Sequence, residues 1–209
     1  MKTIFLTPSY KGDLDRLGLM RQSIRRFQKA PVQHVIAVPR EDAPVFRARL
    51  RDDPHVEVVA QQDLVDPVFY PRKWFPLVEA VLGSRSWRLA RFGGRPGWVV
   101  QQIVKLSAPE LHPEGQVIVV DSDLVFLRPI DLSDFQTLDA PRVLLRQNPV
   151  DPAGSHPKYM QKSRELLRLP NGPIDHHYMA YPAVWYVDWV LELRSHLESL
   201  HSKPWQHLL

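Results

Sequence analysis

Apolar positions recur along this chain with two different periods, and the switching between them predicts the elements. Thr3–Leu6 is a short apolar run that ends in the polar, turn-forming segment Thr7–Asp13, which reads as a strand and the loop after it. From Leu14 to Gln28 the period becomes helical. Leu17, Met20, Ile24 and Phe27 fall on one face, and Asp13 stands where an N-cap belongs. His34–Val38 and Val56–Val59 are further strands, separated by a helix over Ala43–Leu50 that Asp42 would cap. A β-α-β-α-β beginning of this kind requires a parallel sheet with right-handed crossovers.

Residues 61–72 hold two prolines and no period, so they read as loop. A short helix is expected over Lys73–Leu82. Arg91–Gly97 (RFGGRPG) is a flexible turn, suited either to a mobile lid or to a helix entrance. Trp98–Ala108 is predicted helical, with Val99, Ile103 and Leu106 on one side and Gln102 and Lys105 beside them. Val117–Val120 is an unbroken β-branched run and predicts a fully buried strand, and Val143–Leu145 predicts another. Tyr159–Leu169 and Tyr186–Leu200 read as helices, with Asn148–Lys158 and Pro170–Pro182 as loops. No internal repeat and no linker divides the chain.

Composition narrows the class. The chain has 209 residues, 44% hydrophobic and 24% charged, which is enough for one ordinary core. No apolar run approaches the roughly eighteen residues of a transmembrane helix. There is no cysteine, which removes disulfides and thiolate metal sites and accords with a cytoplasmic protein. The net charge is +4, but Arg and Lys are spread along the chain among acids. Nucleic-acid binding calls for concentrated charge, so it is not expected. Anionic small substrates suit this balance.

The candidate chemistry sits at the end of the Val117 run, which stops at Asp121-Ser122-Asp123. Ionised groups are costly in a core unless paired or metal-bound. In open α/β sheets, ligands bind at the carboxyl ends of the strands. Two carboxylates two residues apart can share a Mg²⁺ or Mn²⁺ ion, which favours such oxygens together with substrate phosphates. The reading is a metal–phosphate site for a nucleoside diphosphate. A plain strand-ending turn is the alternative, since Asp and Ser favour turns. Against it, the composition of Leu124–Phe126 predicts strand character past the acids.

These residues also carry a family resemblance. The strand ending in DSD and followed by LVFLRPID resembles the DxD signature of GT-A-fold glycosyltransferases. WVVQQIVKLSAPEL resembles the helix leading into that motif. TPSYKGDLDRLGLMRQSI and AVWYVDWVLELRSHLE…PW resemble an uncharacterised bacterial family of such enzymes. The resemblance implies an α/β fold, a GT-A-like Rossmann-type sandwich with a mostly parallel central sheet flanked by helices. It implies one domain over 1–209, with 1–130 as the nucleotide-sugar half and 131–209 as the acceptor half. Members of that family continue past the PW position, so part of the acceptor side is expected to be missing. Asp121 and Asp123 would hold Mn²⁺ or Mg²⁺, with His177 (or His176) completing the set. Thr7, Ser9, Tyr10, Asp13, Lys105, Asp121 and Ser122 would bind the nucleotide-diphosphate sugar. Asp175 would be a general base for a glycan or other hydroxyl acceptor. Two other classes share some of these features. A haloacid-dehalogenase-type phosphotransferase also has a strand ending in DxD, and Val125 fits its pattern, but no adjacent acid pair follows Asp123. A non-catalytic nucleotide-sugar or glycan-binding module would keep the fold without the reaction.

Overall fold

The computed structural model describes residues 2–67, 97–135, 148, 149, 151, 154, 156–177 and 182–209. The first three predicted strands form: β1 (Thr3–Pro8), β2 (Gln33–Val38) and β3 (Val56–Ala60). Helices α1 (Leu14–Phe27) and α2 (Ala43–Leu50) connect them. Next come α3 (Gly97–Leu106), α4 (Ala108–Leu111) and β4 (Gln116–Val119). A small hairpin pairs β5 (Asn148–Pro149) with β6 (His176–His177), and α5 (His156–Leu166) lies between them in sequence. The chain then runs through β7 (Ala183–Tyr186) and α6 (Val187–His201).

The main sheet has the order β3-β2-β1-β4-β7. β1 pairs in parallel with β2 and β4, and β2 with β3, while β7 closes the sheet antiparallel to β4. This is the mostly parallel, helix-flanked sandwich that the sequence implies. Alternation along the strands divides the core into two layers. Ile4, Leu6, Val35, Val117 and Val119 pack with Ile103 and Val104 of α3 and with Trp205. Phe5, Ile36, Val38, Ile118 and Val120 pack with Leu17, Met20 and Ile24 of α1. Strands buried on both faces show continuous apolar runs, which is why β1, β2 and β4 were legible.

Several expectations are corrected. Strand character does not continue past the acids: Leu124 N–H donates to the Asp121 carbonyl at 3.1 Å, closing a turn, and no strand follows among the described residues to Phe135. The Ala183–Tyr186 segment is a strand, and the helix begins at Val187. Four residues are too few to show a period, and their half-buried alternation exists only against β4. α5 starts at His156 rather than Tyr159, because Pro157 suits the first turn of a helix. Neither Asp13 nor Asp42 caps its helix through its side chain. The Asp42 carboxylate accepts the Lys11 N–H at 2.7 Å instead. The expected helix Lys73–Leu82, the Gly93-Gly94 turn and the strand Val143–Leu145 lie outside the described residues. Among the described residues, no helix is long and apolar enough to cross a membrane.

Candidate functional site

β4 delivers Asp121, Ser122 and Asp123 to the carboxyl edge of the sheet, beside the end of β1. Asp121 continues the alternation of Val117 and Val119 and so faces the α3 layer. There Lys105, 3% exposed, places its Nζ 2.9 Å from Asp121 Oδ1. A buried ammonium needs a counter-charge, and Asp121 provides one. Its side chain remains 32% exposed, so the pair is dry at the lysine and wet at the acid. Ser122 is buried on the opposite side, where its hydroxyl donates to Asp13 Oδ2 at 3.1 Å. Arg16 Nη1 donates to the other oxygen of Asp13 at 3.1 Å. Asp123 is exposed.

The end of β1 brings Thr7, Ser9 and Tyr10 to the same edge in different states. Thr7 is fully buried, so it does not line an open pocket. Ser9 is also buried, and its Oγ has no hydrogen-bond partner among the described residues. Gln61 Nε2 donates to the Ser9 and Ala37 carbonyls, both at 3.1 Å, and so ties the ends of β1 and β2 together. Tyr10 is half exposed.

Sequence reasoning missed a buried polar thread behind this edge. Arg21 Nη1 donates to His34 Nδ1 at 3.0 Å, and His34 Nε2 lies 2.8 Å from Thr7 Oγ1. Thr7 Oγ1 donates to the Val120 carbonyl at 2.6 Å. Arg21 also donates from Nη2 to Asp53 Oδ2 at 2.6 Å. Burial, reinforced by the Arg21 charge, holds the His34 pKa well below the usual imidazole value, so the ring is neutral. Burial of Asp53 favours its neutral form. The hydrogen bonds and charge of Arg21 outweigh that and hold its carboxyl below the ordinary range. Two signals were available. Arg21 occupies the i+4 slot of the apolar face marked by Leu17, and an imidazole interrupts an otherwise apolar strand at His34.

The metal set expected from the resemblance is assembled only in part. His177 sits on β6 opposite Asn148, His176 is exposed opposite Pro149, and Asp175 is exposed just before them. Among the described residues no group of three or more His, Asp or Glu side chains is arranged to hold a metal ion. The donors present at the turn are hard carboxylate oxygens from Asp121 and Asp123. Such donors suit Mg²⁺ or Mn²⁺ when substrate phosphates fill the remaining positions.

The fold is that of a GT-A-like Rossmann sandwich, shared with solved glycosyltransferases. Mouse xyloside xylosyltransferase 1 in its apo form is 16% identical, with a TM-score of 0.53 over 99% of this chain and 74% of that one. The apo structure of the bifunctional glycosyltransferase WbbM is 14% identical, with a TM-score of 0.53 over 98% of this chain and 35% of that one. At these identities the likeness is one of fold. The chain itself belongs to the family of unknown function DUF6492, which it matches over residues 4–209. No curated protein matches it.

Proposed function

We propose that this protein is a glycosyltransferase, moving a sugar from a nucleotide-diphosphate donor to a glycan or other hydroxyl acceptor at the Asp121–Asp123 turn. The observation that carries the reading is the buried Lys105 paired to Asp121 at the carboxyl end of β4, where α/β sheets bind ligands. The two glycosyltransferase folds support it, and so does the DSD sequence. The reaction is assigned to the cytoplasm, as the cysteine-free composition suggests.

Transfer requires stabilisation of the negative charge that develops on the departing diphosphate. Lys105 supplies a positive charge fixed by burial, needing no reorganisation during reaction. A divalent cation held by Asp121 and Asp123 would neutralise further charge there. Tyr10, half exposed just past the end of β1, would contact the nucleotide. Asp13 would hold Ser122, and with it the turn, against the start of α1. Asp175 is the group assigned to taking the acceptor proton, and His177 to a ligand position that closes with donor bound.

Calorimetric titration of UDP and of GDP into wild type and Asp123→Ala, each with and without Mn²⁺, tests this. The expected result is Mn²⁺-strengthened binding of one nucleotide, weakened at least about tenfold in the variant, or about 1.4 kcal/mol. Binding of neither nucleotide with Mn²⁺ present would overturn the reading. Binding without any donor turnover would reduce the protein to a nucleotide-sugar-binding module.

A further inference from the structure

β1 ends on a proline, and its position in the sheet leaves one carbonyl without its usual donor. Leu6 pairs with Val119, Gln116 N–H donates to the Lys2 carbonyl, and Val120 N–H donates to the Leu6 carbonyl. In a parallel ladder of this register, the next bond would run from the N–H of residue 8 to the Val120 carbonyl. Residue 8 is Pro8 and has no N–H. The orphaned carbonyl belongs to the peptide that leads into Asp121.

Thr7 fills the gap. Its Oγ1 lies 2.6 Å from the Val120 oxygen and has one proton, which goes to that carbonyl. The 2.8 Å contact between Thr7 Oγ1 and His34 Nε2 must then be donated by the ring. That leaves Nδ1 as acceptor, matching Arg21, whose guanidinium can only donate. Every proton has one place: Arg21 to His34, His34 to Thr7, Thr7 to Val120. The direction is anchored at Asp53, which holds the far side of Arg21. Arg21, His34 and Thr7 lie where α1 packs on the sheet, a layer otherwise filled by Phe5, Met20, Ile24 and their neighbours. Polar groups buried there are tolerated only because each is satisfied.

We propose that Arg21, His34 and Thr7 are positioning residues: a one-way hydrogen-bond relay that fixes the Val120–Asp121 peptide plane and so aims the Asp121–Asp123 turn at its ligand. What the turn acts on rests on the glycosyl-transfer reading above, while the relay geometry does not. None of the three touches substrate. Thr7 is thereby reassigned from a nucleotide contact to a support for one.

The test uses the full chain labelled with ¹⁵N and ¹³C, and two substitutions of similar size. Thr7→Val keeps the shape and removes the hydroxyl, and Thr7→Ser restores the hydroxyl. In wild type, long-range ¹H–¹⁵N spectra at pH 7 should show His34 neutral and protonated at Nε2. Thr7→Val should move the Val120 carbonyl ¹³C and Asp121 amide ¹⁵N signals, and Thr7→Ser should return them toward wild type. Turnover of UDP-glucose and GDP-mannose with Mn²⁺ should fall about tenfold in kcat in Thr7→Val, with KM within about twofold, and recover in Thr7→Ser. If Thr7→Val does not fold, His34→Gln carries the same comparison. A proton on His34 Nδ1, unmoved Val120 and Asp121 signals, or unchanged kcat in the Thr7→Val chain would overturn the relay. A wild-type chain that turns over neither sugar nucleotide removes the glycosyl-transfer reading and the relay's aiming role in it, while the spectra still decide the geometry.

Discussion

Asp121, Ser122 and Asp123 are adjacent in sequence but meet a cation, an acid and water respectively. That separation makes the pair of Lys105 and Asp121 asymmetric. Lys105 is 3% exposed, whereas Asp121 is 32% exposed and can be rehydrated. Asp121→Asn therefore leaves a buried ammonium facing a neutral amide and should cost about 3 kcal/mol, the lower end for breaking a buried pair. Lys105→Met leaves a half-wet carboxylate and should cost about 1 kcal/mol. Urea unfolding of both variants checks the order, and equal losses would mean that the lysine is better hydrated than its burial indicates. His34 gives a second residue-scale expectation. Its folded pKa lies below its unfolded one, so the unfolded chain takes up a proton first as pH falls. The contribution is intact above about pH 6.5, the unfolded value, and declines as pH falls below it. His34→Gln should flatten that part of the profile, measured as unfolding free energy at pH 7 and pH 5 against wild type. The acids of the turn were legible because two carboxylates interrupt a buried run. Arg21 and His34 were not, because a residue's position on an apolar face says that it is buried and not what satisfies it.

Elements show the same limit in another form. β1, β2 and β4 were readable from their own residues, since burial on both faces writes a continuous apolar run. β7 was not, because its four residues become a strand only through the antiparallel register Gln116↔Tyr186 to Val119↔Ala183. The turn leading into β4 has a stricter requirement. Gly115 has φ +94°, in the left-handed region, and a Cβ there would collide with the Lys2 carbonyl oxygen. That oxygen accepts the Gln116 N–H at 3.0 Å, and the Gly115 carbonyl accepts the Val187 N–H at 3.1 Å. One glycine thus sets the start of β4 against β1 and the start of α6. Gly115→Ala should destabilise by at least about 2 kcal/mol, combining left-handed strain with the clash. Thermal unfolding reads this directly. A loss below about 0.5 kcal/mol, the range of ordinary surface changes, would show that the turn relaxes to another conformation.

At the scale of the whole molecule, the sheet divides its supports between two sides. α1 covers one face and carries the relay toward Thr7. The other is covered by α3, which supplies Lys105, and by the last residues of the chain. Trp205 is 5% exposed in that second layer, with Arg194 Cζ 4.6 Å from its ring centroid and Glu198 Oε1 accepting its backbone N–H at 3.0 Å. Gln206 then clips the segment to the loop after β3. Its Oε1 accepts the Asp66 N–H at 2.7 Å and its Nε2 donates to the Leu64 carbonyl at 3.0 Å. The Ser107 hydroxyl, just past α3 and two residues from Lys105, lies 3.2 Å from the Leu64 carbonyl and 2.9 Å from the Ile103 carbonyl. Residues far apart in sequence therefore converge behind the lysine, a contact pattern that no local period could announce. Trp205→Ala should cost about 3–5 kcal/mol, as expected for a buried large aromatic. For a chain of this length that lowers Tm by roughly 10 °C. The far-UV circular dichroism should stay the same at low temperature, because the sheet keeps its register. Nucleotide affinity at that temperature should also fall, since Lys105 loses the packing behind its helix. A variant that unfolds 10 °C lower yet binds nucleotide as wild type does would separate the second layer's stabilising role from any part in holding Lys105.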